Sequence, residues 1–179
     1  IGALRGHGPA DLVDLCLAIG AQLVLLADLR DSETDARSLL RGTLESGAAW
    51  AKLTQMIAHQ GGDLAAIENP DLLPTAPYAI DLPTPQAGYV AQIDGQALGL
   101  ACNALGGGRT RKEDAIDPRV GIVLRAKVGD YVAQGAPLLT IHAASQADAA
   151  RVTPRLSAAY RLSPTPVTAP ILIEEIITS

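Results

Sequence analysis

Few side chains in this sequence could carry chemistry, and their spacing decides what each can do. The richest cluster is GGGRTRK at 106–112. Gly106, Gly107 and Gly108 expose backbone N–H groups, and Arg109, Arg111 and Lys112 add positive charge, the ingredients of a phosphate cradle. The GxxxxGK[ST] spacing is missing, and no helix pattern opens directly behind the glycines. These residues predict a turn with solvated basic groups, or a loop that touches a neighbouring domain. His7 precedes a helix start, His59 ends a helix and His142 ends a strand, none at a telling distance from a Ser, Cys or acid. Glu174 and Glu175 are adjacent, so on a strand they straddle its two faces and make no catalytic pair. Cys16 and Cys102 lack CxxC spacing and a nearby His, which predicts buried, reduced thiols rather than a zinc site or a disulfide scaffold. On this reading the chain holds no catalytic, substrate-binding or metal-binding residue of its own.

A lysine arm is the other chemistry to weigh. VGDYVAQGAPLLTIH (128–142) has the rhythm of the small β-barrels that carry biotin or lipoate. Val128, Val132, Leu138 and Ile141 are apolar strand positions, and Gly129-Asp130 and Gly135-Ala136-Pro137 supply the turns. A carrier needs one Lys at an exposed hairpin tip, in an EAMKM or DK context. Lys52 is in a helix, Lys112 follows the glycines, and Lys127 reads as the end of a strand. The architecture is there without the carrier chemistry.

The elements that must position these groups fall into two parts. Within 179 residues, 48% are hydrophobic but only 3% aromatic, with no Phe, so the core must be aliphatic. A net charge of −5, no basic stripe and few stacking aromatics exclude a nucleic-acid binder. The longest apolar run, at 12–27, falls short of the ~20 residues of a membrane span. With no signal peptide visible, a cytoplasmic protein is expected, and the missing initiator Met suggests a piece of a longer chain. Helices are predicted from Pro9 to about Ala27, from an N-cap at Ser32 to Gly47, and over 48–59 with Trp50, Leu53 and Ile57 on one face. Prolines 70, 74, 77, 83 and 85 then mark a boundary. Beyond it, strands are predicted at 88–94, 121–128, 137–143 and 171–177, with helices over 96–105 and 146–159. The class is α+β.

LRGHGPADLVDLCLAIGAQLVLLA, IAHQGGDLAAIENPDLLPTAPY and GYVAQIDGQALGLACNALGGGRTRKEDAIDPRVGIVLRAKVGDYVAQGAPLLTIHA together resemble the C-terminal part of pyrimidine-nucleoside phosphorylases, relatives of thymidine phosphorylase. The resemblance spans essentially the whole chain. It implies a cytoplasmic homodimer that cleaves a pyrimidine nucleoside with phosphate, giving free base and pentose 1-phosphate. It also implies a division into 1–67, the last helices of a phosphate- and base-binding helical domain; 68–87, a Pro-rich linker and first strand; and 88–179, an α/β closing domain with a hammerhead-like, biotinyl/lipoyl-type β-structure. The family's KHSTGG loop and its Arg-Ser-Lys helix have no counterpart here. The last ligand of the alkali cation that some members bind falls just ahead of IGALRGHGP. Scaffold and lid are thus expected in this chain, with the chemistry upstream and Gly106, Gly107, Gly108 and Arg109 as the loop that makes contact on closure. The alternative is a stand-alone biotinyl/lipoyl-like structural or carrier module.

Overall fold

The computed structural model describes residues 1–109 and 111–177; Thr110, Thr178 and Ser179 lie outside them. Two units result, one comprising Ile1–Leu73 with the C-terminal segment from Ile171, the other Pro74–Pro170.

The first unit is helical. α1 (Ala10–Leu26) begins after Pro9, which serves as N-cap rather than first helical residue, and Asp11 Oδ1 accepts the Leu12 N–H at 2.8 Å. α2 (Glu33–Glu45) starts where the sequence predicts it: Ser32 Oγ accepts the Asp35 N–H at 3.1 Å. α1 and α2 pack through Ala21, Val24 and Ala36, and Gly20 leaves room for the Leu40 side chain. Gly47, at φ 76, ends α2 and opens α3 (Ala48–His59). A short α4 (Leu64–Glu68), capped by Asp63, follows. Arg5 fastens this part together. Its guanidinium stacks 4.2 Å from the Trp50 ring centroid and donates to the carbonyls of Ile67 and Glu68 at 3.2 Å.

The face that α1 turns inward is Leu17, Ala18, Ala21 and Val24; Leu12, Ile19, Leu23 and Leu26 point outward. Residues 171–177 form no strand. They run as irregular chain in the helical unit, where Leu172, Ile173 and Ile176 line a groove with Leu15, Ala18, Ile19 and Gln22 of α1. The segment runs beside α1 without pairing with a strand, so the predicted last strand does not form.

The second unit holds two antiparallel three-stranded sheets. One has the order β1 (Tyr78–Pro83), β5 (Pro137–Ala143), β3 (Gly121–Leu124). The other has the order β4 (Tyr131–Val132), β2 (Gly88–Ile93), β6 (Tyr160–Ser163). α5 (Gly95–Cys102) and α6 (Gln146–Ala158) complete it. β1 lies in the proline-rich stretch and is an edge strand; Pro83 sits at an irregularity in its register with β5, where a missing N–H costs little. One core joins Leu82, Leu139, Ile141, Leu105, Val152 and Leu156; a second joins Val90, Ala126, Val132 and Leu138. Tyr160 packs against both and donates to the Leu138 carbonyl at 3.2 Å. Burial pushes its pKa up to about 12.

Candidate functional site

The Gly-rich loop grows out of α5. Asp94 caps that helix by accepting the Ala97 N–H at 3.0 Å, and after Cys102 the coil widens into a π-type turn over Asn103–Gly107. Such widened turns recur at functional sites. Each glycine has a local reason. Gly106 takes φ 99, Gly107 lies so close that a Cβ would stand 2.8 Å from Cys102 Sγ, and a Cβ on Gly108 would collide with Asn103 Oδ1. These glycines let the turn fold onto its own helix. Arg109 behind them is exposed and has no hydrogen-bond or ion-pair partner among the described residues.

The far side of the loop is pinned. The Asp117 N–H donates to the Gly106 carbonyl at 3.0 Å. The Asp117 carboxylate accepts the Arg119 backbone N–H at 3.0 Å, its Nε at 2.9 Å and its Nη2 at 2.8 Å. The hydrogen bonds from the Arg119 side chain, then that from its backbone, lower the Asp117 pKa to about 2, and the same contact raises that of Arg119. Arg151 reaches from α6 to the Ala104 carbonyl at 2.6 Å while pairing with Asp148. Within the loop, Asp114 Oδ2 accepts the Arg111 N–H at 2.7 Å. Spacing alone picks out the glycines and Arg109 but misses Asp117, whose partner Gly106 is eleven positions earlier.

The remaining candidates are not gathered into a site. Lys127 lies in the turn after β3 rather than in a strand, its N–H bonded to Asp130 Oδ2 at 2.8 Å. β5 passes straight into α6, capped by Ser145, so no hairpin tip follows it. Cys16 is exposed and Cys102 half-buried, against the expectation of buried thiols: Cys16 falls on the outer side of α1. His7 and His59 are exposed and His142 is half-buried on β5. Glu174 and Glu175 lie in the irregular segment beside α1. Among the described residues no group of three or more His, Cys, Asp or Glu could hold a metal ion, and no helix is long and apolar enough to cross a membrane.

Residues 89–163, from the second residue of β2 to the end of β6, match the family model of the pyrimidine nucleoside phosphorylase C-terminal domain. The second unit contains such a domain. β1 belongs to its first sheet although it precedes the matched span. Over 178 residues the chain is 42% identical to the pyrimidine-nucleoside phosphorylase of Staphylococcus aureus (strain bovine RF122 / ET3-1), which covers 99% of this chain and 41% of that protein. It is 40% identical to the pyrimidine-nucleoside phosphorylase of Staphylococcus haemolyticus (strain JCSC1435), with the same shares. The chain thus spans about 41% of the length of these relatives, and its similarity runs through the helices as well as the pyrimidine nucleoside phosphorylase C-terminal domain.

Proposed function

We propose that this chain forms the C-terminal part of a cytoplasmic, homodimeric pyrimidine-nucleoside phosphorylase. The whole enzyme would convert a pyrimidine nucleoside and phosphate to free base and pentose 1-phosphate. The observation that carries the reading is the 42% identity over 99% of the chain. On this reading the reacting groups would come from the rest of the polypeptide. An alkali cation, where the enzyme takes one, would be held there as well.

Phosphorolysis passes through an oxocarbenium-like sugar that water intercepts. A closing domain therefore acts by excluding water and by aligning phosphate with the anomeric carbon. The two small sheets, with turns at Gly129 and Gly135, support a hammerhead-like structure reused as a lid. Arg109 is its proposed contact on closure: exposed and without a partner among the described residues, with a planar fork suited to a carboxylate or carbonyl. The test is release of uracil or thymine from uridine or thymidine, dependent on phosphate, by the full-length protein that carries this sequence. A purified full-length protein that releases neither base would refute the reading.

A further inference from the structure

We propose that Asp117 is a positioning residue of the closing loop: by tying its neck at Gly106, it holds Arg109 where closure needs it. The inference rests on the reading of Arg109 given above. Three observations carry it. The Asp117 N–H bonds the carbonyl of Gly106, the one residue of the turn with left-handed backbone, so the two ends of the loop meet there. The Asp117 carboxylate folds back on Arg119 through three hydrogen bonds and fixes the Asp117-Pro118-Arg119 turn that aims this N–H. The other face of the turn is immobilised as well, by Gly107 against Cys102 and by Arg151 on the Ala104 carbonyl. Arg109 stands two residues beyond Gly107, so its direction follows from how this neck is set.

The experiment uses the full-length protein with Asp117→Asn and Asp117→Ala, each alone and combined with Arg109→Ala. Asp117→Ala should lower kcat by roughly two- to fivefold, the scale of an exposed pair. KM for nucleoside and the thermal midpoint should stay near wild type, and Asp117→Asn, which keeps an acceptor for the Arg119 N–H, should lose less. In the Arg109→Ala background neither substitution should cost anything further, because the group being positioned is gone. Losses that add to those of Arg109→Ala, or wild-type kcat in Asp117→Ala, would overturn the proposal. Hydrogen exchange separates this failure from a failure of the functional reading. The Asp117 amide should exchange faster in Asp117→Ala whether or not the protein turns over nucleosides, and unchanged exchange would also overturn it.

Discussion

The outer side of α1 yields the most direct test of how this chain relates to a longer protein. Ile19 is 56% exposed, Leu23 62% and Leu26 81%, in a helix whose opposite face is already buried. Fully burying one such side chain is worth about 1.5–3 kcal/mol, so covering these three exposed portions would release roughly 3–6 kcal/mol. Two copies meeting face to face would gain roughly twice that, against about 4–15 kcal/mol for association. The isolated chain should therefore self-associate weakly and bind an apolar dye, both rising with concentration in sedimentation velocity and fluorescence. Leu23→Lys combined with Leu26→Glu should abolish both. It should leave the stability of the isolated chain within ~0.5 kcal/mol, the usual range for exposed positions. In the full-length protein the same pair should cost several kcal/mol in urea unfolding if, as proposed, the rest of the polypeptide covers that face. A monomeric, dye-silent wild-type chain, or a full-length protein indifferent to the pair, would refute the reasoning.

The 179-residue chain alone should release no base from uridine or thymidine with phosphate; turnover that survives repurification would show reacting groups within it. In the full-length enzyme, Arg109→Ala should slow turnover about ten- to hundredfold, from one lost charge-assisted contact, with thermal stability nearly unchanged; steady-state kinetics at saturating substrates decide this. Thr140, only 3% exposed, donates to Asp81 Oδ1 at 2.6 Å and accepts from Arg125 Nε at 2.9 Å. Thr140→Val should cost about 1–2 kcal/mol in urea unfolding, less than two full charged bonds because water reaches both partners, and Thr140→Ser should recover most of it. Tyr160 has a raised pKa, so its contribution should hold below pH 10 and fade as pH climbs towards about 12. Tyr160→Phe should flatten that alkaline decline, and an identical slope in both proteins would remove Tyr160 as its cause.

What the sequence disclosed follows the strength of local signals. Ser32 as a cap, Gly47 as a break and the PLLTIHA run each determine an element through contacts within a few residues, and α2, α3 and β5 lie where those signals put them. β6 was invisible because α6 ends at Ala158 and the strand begins at Tyr160 with no turn residue between. Residues 171–177, ILIEEII, are apolar enough for a strand, yet a short apolar run can lie beside a helix as well as in a sheet. The predicted strand at 121–128 ends at Leu124, since the next residues turn towards Asp130. At the candidate site, three glycines and an arginine were legible as a loop. The reason for the glycines was not, because it depends on Cys102, Asn103 and Asp117 in three dimensions. The Asp81–Thr140–Arg125 bridge joins distant segments and leaves no pattern in either.

The prolines around β1 also have a use in the life of the protein. An open strand edge is a template on which another chain can lengthen a sheet, the first step towards aggregates. β1 is such an edge, yet Pro77 precedes it and Pro83 ends it, with Pro74 and Pro85 just beyond. An incoming strand would find no N–H at any of these four positions, and because alternate N–H groups of β1 already face β5, at most three of the donors between Tyr78 and Leu82 point to the open edge. Replacing these prolines with residues of high strand propensity would leave the native sheet almost untouched while opening a longer edge to fibre growth.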